Sequence, residues 1–124
     1  MLDKMIHITV GEKEYPIAFT LNIMEQIQEK YGSLNQWVES LEKNGEPVIK
    51  NLIWSFHEMF NEGIEIENED TEIKRTKLEH KQVGRIITKY GFVDAGIKLR
   101  EAFLAMMPKV NDEDPNEKAS PTPQ

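Results

Sequence analysis

The sequence predicts a mainly α-helical (α+β) fold: a single small domain of about five helices with an N-terminal β-hairpin. Apolar residues recur every three or four positions in four segments between residues 20 and 91, as amphipathic helices require. Residues 5–19 instead alternate between apolar and polar, which indicates strands. With 124 residues, 39% of them apolar, the chain can build one hydrophobic core.

The N-terminal hairpin is predicted over residues 5–19. Residues 5–10 are rich in β-branched side chains, and a turn at 11–14 leads into a second alternating run that ends at Phe19. Pro16 cannot donate to a strand ladder, so we expect it at an outward-facing or edge position. A lone hairpin is marginally stable in water, so this one must pack on the helices.

The first two helices are delimited by capping signals. Thr20 or Asn22 can accept hydrogen bonds from the free amides of the first helix, and Gly32 should end it. Ser33 begins the second helix, and its spacing to a glutamine three residues later fits a capping box. We expect this second helix to end at Asn44-Gly45.

The next two helices follow the same logic. Pro47 suits the first turn of a third helix because its missing amide hydrogen would have no partner there, and Gly63 should end that helix. Thr76 and Glu79 have capping-box spacing for a fourth helix, which should stop at Gly91.

A fifth helix is predicted from about Phe92 to Met107, closed by Pro108. The helical domain then covers residues 1–110. Residues 111–124 are acidic and proline-rich without apolar periodicity, so we expect a disordered tail.

Composition excludes several functional classes. The formal net charge is −7, which disfavours nucleic acid as a partner because phosphate binding needs a basic surface. The chain has no cysteine, so disulfides, thiolate metal sites and cysteine nucleophiles are ruled out. No window has the run of about 20 apolar residues that a membrane span needs, and we expect no signal peptide.

The strongest catalytic pattern is a near match to a zinc-protease motif. His57-Glu58 would need a second histidine four residues after the first, but that position is Asn61, a poor zinc ligand. His7 and His80 are distant in sequence, and nothing pairs them with His57. We therefore predict no catalytic residues, no metal and no cofactor, with a metal-dependent enzyme using His57 and Glu58 as an alternative.

Acidic residues are concentrated in the stretch 62–77, which predicts a mobile loop, with a short strand inside it as an alternative. Its carboxylates lack the glycine and the terminal glutamate of a calcium loop, so solvated side chains explain them better.

Apolar side chains exceed what a small core needs in two places. Trp54 lies off the apolar stripe of the third helix, so it either packs under a neighbouring element or anchors a partner. The fifth helix is apolar around most of its circumference, which indicates a central helix or one covered by another chain. The predicted partner-binding residues are Trp54, Phe92, Leu99, Phe103, Met106 and Met107.

The order of these features resembles the tail assembly chaperones of long-tailed, siphovirus-type bacteriophages and prophages. The resemblance covers most of residues 5–110 and is one of pattern rather than of a catalytic signature. It is carried by the runs Glu14-Tyr15-Pro16-Ile17-Ala18-Phe19, Leu21-Asn22-Ile23-Met24-Glu25-Gln26-Ile27, Lys30-Tyr31-Gly32-Ser33-Leu34, Gly91-Phe92-Val93-Asp94-Ala95 and Met107-Pro108-Lys109.

This resemblance implies a protein that is not an enzyme. Such chaperones coat the apolar, helical tape-measure protein in the host bacterial cytoplasm before the tail tube polymerises, and they are absent from the mature virion. A longer, frameshifted form often recruits the tail-tube protein. For this chain we expect binding of apolar helical segments and of a second copy of itself, as a homo-oligomer. The alternatives are a structural tail-completion or head–tail joining protein and, less favoured, an acidic inhibitor of a host DNA-binding protein.

Overall fold

The computed structural model describes residues 5–111, with side chains described as far as Met106. Within these residues five helices and two short antiparallel hairpins form a small α+β domain, so the predicted fold class is confirmed. The predicted tail lies almost entirely outside them. The elements are β1 (Ile6–Val10), β2 (Lys13–Ile17), α1 (Leu21–Tyr31), α2 (Leu34–Ser40), β3 (Glu42–Lys43), β4 (Glu46–Pro47), α3 (Ile49–Asn68), α4 (His80–Tyr90) and α5 (Phe92–Asn111).

The N-terminal hairpin packs directly on α3. Ile8 pairs with Tyr15 in an antiparallel register, and the backbone N–H of Ala18 donates to the carbonyl of Met59 at 3.2 Å. The prediction that Gly63 ends α3 is wrong, because Gly63 lies inside the helix. A Cβ atom at this position would come within 2.8 Å of Pro16. The glycine therefore permits close helix–strand contact. Pro16 is buried there and does not face outward, but it lies on an edge strand, β2 of a two-stranded sheet, which is the other position expected for it.

The second hairpin replaces the predicted end of α2. Asn44 and Gly45 both have positive φ, 56° and 81°, as a two-residue hairpin turn requires. They therefore connect β3 to β4, and α2 ends earlier, at Ser40. Pro47 lies in β4 and not in the first turn of α3, which begins at Ile49.

The predicted helix caps are confirmed at both ends of α1 and at the start of α2. The side chains of Thr20 and Ser33 accept hydrogen bonds from the backbone amide three residues on, and so cap α1 and α2. The cap of α4 is Glu79 rather than Thr76: the N–H of Glu79 donates to Gln82 Oε1 at 2.7 Å in a reciprocal capping box.

Two asparagines on α3 hold the connection to α4. Asn68 exchanges two hydrogen bonds with the backbone of Arg75, at 2.9 and 3.0 Å. Asn61 does the same with Leu78, at 2.7 and 3.0 Å. The expectation of a loop over residues 62–77 is wrong for its first part because α3 continues to Asn68.

The core is centred on aromatic side chains where the hairpin meets α2, α3 and α5. Trp37 is fully buried, and its indole N–H donates to the Ser55 hydroxyl at 2.8 Å. That hydroxyl donates in turn to the carbonyl of Asn51, so the one buried polar side chain among the described residues is satisfied. Phe19 lies with its ring centroid 5.8 Å from that of Trp37.

The fifth helix continues through Pro108 to Asn111, so the prediction that Pro108 ends it is wrong. None of the described helices combines the length and hydropathy that a membrane crossing needs.

Candidate functional site

The fifth helix presents a second apolar face to solvent. Val93 is 65% exposed, Ile97 52% and Leu104 45%. At 100° per residue these three side chains lie within about 40° of one another around the helix, and we call them the outer stripe. The opposite side of α5 is buried in the core and is formed by Ala95, Leu99 and Ala102.

An apolar cleft lies beside the first turn of α5, between α3 and α4. Its volume is ≈220 Å³, and Ile53 and Ile87 form part of its walls. Ile49 and Phe92 line it too and remain 47% and 49% exposed. We call this feature the apolar cleft. An aliphatic or aromatic side chain from another molecule could bury this exposed surface.

A one-residue junction places Phe92 at the cleft. Gly91 alone separates α4 from α5, with φ of 103°, which side chains other than glycine rarely adopt. Its N–H donates to the carbonyl of Ile87 at 2.8 Å, and its carbonyl accepts from the N–H of Ala95 at 2.9 Å. Gly91 thereby adds one backbone hydrogen bond to the last turn of α4 and one to the first turn of α5.

Charged side chains border the outer stripe. Arg100 is exposed on α5, at a helical angle about 20° from Val93. Lys98 and Glu101 approach each other to 3.6 Å on the other side of the stripe. The stripe is therefore a narrow apolar line between charged borders, and an amphipathic helix with a narrow apolar face matches it.

Trp54 packs within the domain. It is half-buried, its ring meets that of Tyr31 edge-on at 5.5 Å between centroids, and Lys30 Nζ lies 5.3 Å from its centroid. The Tyr31 hydroxyl donates to Asn51 Oδ1 at 2.9 Å, and burial raises the pKa of Tyr31 above its usual 10.0. The internal packing that the sequence left open for Trp54 is the arrangement found.

The other predicted binding residues separate into four groups. Phe92 is exposed at the apolar cleft, and Met107 lies beyond the described side chains. Phe103 and Met106 are partly buried against the core, with Phe103 edge-on to Phe19 at 5.4 Å. Leu99 is only 3% exposed, so its assignment to a binding surface is corrected: it is a core residue of the inward face of α5.

Sequence reasoning selected the aromatic residues and methionines of α5 together with Leu99, and it missed the outer stripe. The core uses Leu99 and Phe103 because large side chains fill the space around Phe19 and Trp37. A helical projection that first assigned one arc of α5 to the core would have left Val93, Ile97 and Leu104 as the exposed arc.

Two of the three histidines, His57 and His80, lie close together, which the sequence did not indicate. The rings of His57 and His80 lie 5.9 Å apart, and His57 Nδ1 lies 2.9 Å from Glu58 Oε2. Residues 5–106 nevertheless hold no group of three or more histidine or acidic side chains arranged for a metal ion. Asn61, at the position of the missing zinc ligand, instead binds the backbone of Leu78.

Comparison of the chain with family models, curated proteins and solved structures gives no match.

Proposed function

We propose that this protein is a phage tail assembly chaperone that binds apolar helical segments of a tape-measure protein. The observation that carries the proposal is the outer stripe, in which Val93, Ile97 and Leu104 remain about half exposed on a helix whose other face is already buried. A partner helix with apolar residues at three- and four-residue spacing could bury this stripe, as amphipathic helices do in other grooves.

The apolar cleft extends the proposed surface at the start of α5. Phe92 and Ile49 add exposed apolar area at its rim, and the cleft has room for a side chain of the partner. The shape suits an anchor residue that fills a pocket next to a longer helical contact.

The modest size of this surface suits a chaperone that must dissociate. A few half-exposed side chains support a weak single contact, and many copies along one long helix would together bind it firmly. Release then needs only the competing tube subunits to displace the copies one at a time.

The charge of the chain fits the same role. A formal net charge of −7 would keep a complex soluble while its apolar stripes are covered. In this proposal the protein acts in the host bacterial cytoplasm, and a longer form brings the tail-tube protein to the complex.

Co-expression tests the proposal directly. A fragment of a phage tape-measure protein is expressed alone and together with the chain, and its soluble fraction is measured after centrifugation. We expect the fragment to be soluble only with the chain present. An insoluble fragment in both cases would refute the chaperone role. Mass spectrometry of purified virions should find the chain missing, whereas a tail-completion or head–tail joining protein would be present.

A further inference from the structure

A second cleft lies on the other side of α4, between the N-terminal hairpin and the connection from α3. Its volume is ≈560 Å³. Among the described residues that line it, four are basic and none is acidic, although the chain as a whole is acidic. We call this the basic groove. Its four cationic residues are Lys13, Arg75, Arg85 and Lys89.

Arg75 is fixed in the groove by three neighbours. Asn68 binds both the N–H and the carbonyl of its backbone, at 2.9 and 3.0 Å. Its Nη1 donates to the carbonyl of Glu14 at 2.9 Å, and its guanidinium carbon lies 5.3 Å from the centre of the Tyr15 ring. A guanidinium has five N–H donors, so most remain for an incoming anion at little further cost in side-chain entropy.

The side of α4 that faces the groove supplies two further cations. Arg85 and Lys89 are four residues apart, so they project from the same face of the helix. Within residues 5–106, neither they nor Arg75 takes part in a side-chain ion pair. Three apolar residues, Val10, Leu78 and Ile86, also line the groove.

We propose that the basic groove binds a short acidic peptide segment of a partner protein. Carboxylates of the segment would pair with Arg75, Arg85 and Lys89, and an apolar side chain between them would cover the floor. Arg75 presents a planar fork of donors that matches a carboxylate in two-point contact.

The alternative anion, a nucleic acid, fits less well. A net charge of −7 repels a polyanion at long range, whereas a short peptide carries only a few charges. Tyr15, the aromatic ring of the groove, is 9% exposed and has the Arg75 guanidinium over its ring, so no base can stack on that face.

The basic groove and the apolar cleft are separate sites. The cleft is lined by Gly84, Ile87 and Thr88, and the groove by other positions of the same helix, including Arg85 and Lys89. Their angular positions around α4 put the two sites on either side of its buried face. The groove can therefore be tested without reference to the proposed chaperone surface.

Fluorescence anisotropy with the full chain tests the groove. The probe is a labelled short peptide that repeats Glu-Glu-Leu, compared with its Gln-Gln-Leu counterpart. We expect the acidic peptide to bind, with affinity that falls as salt rises, and the neutral peptide not to bind. The double variant R85Q/K89Q should bind the acidic peptide about tenfold more weakly.

A matched control replaces two exposed lysines that lie outside the groove. K43Q/K50Q makes the same change in net charge outside the groove, so its affinity should stay within about twofold of wild type. Equal losses in both double variants would mean a non-specific charge effect and would overturn the proposal. Tighter binding of a single-stranded oligonucleotide than of the peptide would overturn it too. A third outcome would also overturn the proposal: the wild-type chain does not bind the peptide but self-associates, and R85Q/K89Q abolishes that self-association.

Discussion

Replacing two residues of the outer stripe should weaken binding to a tape-measure helix about 30-fold. Ile97 is 52% exposed and Leu104 45%, so about half of each side chain remains to be buried by a partner. Complete burial of such a side chain contributes roughly 1.5–3 kcal/mol, and the exposed half therefore contributes about 1 kcal/mol. The variant I97Q/L104Q should therefore lose about 2 kcal/mol of binding free energy. This loss corresponds to an increase of about 30-fold in Kd.

The assay is a titration of a labelled tape-measure segment, followed by anisotropy to obtain Kd. Glutamine is a good helix former, so α5 should persist in the variant. Because both positions are exposed, the free energy of unfolding in urea should change by no more than about 0.5 kcal/mol. This second measurement separates loss of binding from loss of folding.

A matched control tests whether any exposed apolar residue has the same effect. Leu21 on α1 and Val38 on α2 are 74% and 45% exposed, and L21Q/V38Q makes the same chemical change away from α5. We expect its Kd to stay within about threefold of wild type. If I97Q/L104Q also stays within that range while folded, the outer stripe is not the binding surface.

Three further predictions concern stability. Gly63→Ala should lower the free energy of unfolding by about 1–3 kcal/mol, because its Cβ would come within 2.8 Å of Pro16, whereas Gly96→Ala, with no atom within 4 Å, should not destabilise. Phe103→Ala should cost about 2 kcal/mol or more in urea denaturation, because Phe103 packs on Phe19 and Trp37. Burial raises the pKa of Tyr31, so the unfolded chain loses this proton first; above pH 10.0, wild type should lose stability relative to Y31F.

The consequence for Phe103 changes how the binding surface must be tested. Substitution by aspartate at this position would disrupt contacts at 5.4 and 5.9 Å with two core aromatic rings. Loss of binding in such a variant would then report unfolding. The exposed positions of α5 avoid this ambiguity.

Local signals in the sequence predicted the elements well where one interaction decides the structure. Thr20 and Ser33 cap helices because their side-chain oxygens satisfy free amides, and this depends only on adjacent residues. The Asn44-Gly45 turn is equally local, but it was interpreted as a helix end because the short strands beside it lack an apolar alternation.

Tertiary contacts decided what local signals could not. Gly63 is of a residue type that commonly ends helices. Here the hairpin packs so closely on α3 that only a residue without a side chain fits at this position inside the helix. Asn61 and Asn68 look like polar residues of a helix flank, but their spacing of seven places both on the side of α3 that holds the connection to α4. The position of that connection, and hence of Arg75, cannot be inferred from residues near it in sequence.

The distribution of side chains on α5 is in part the reverse of what stability alone would favour. Two of its buried positions are alanines, 95 and 102, while the branched aliphatic residues Val93, Ile97 and Leu104 remain about half exposed. The two inward alanines let the helix lie close to the core. About half of the free energy that burial of Val93, Ile97 and Leu104 would contribute is not realised in the monomer, because these side chains remain about half exposed. Polar residues at the outer positions would fold as well and be more soluble. The apolar partner surface of the proposed function would give these residues a role that the isolated domain does not.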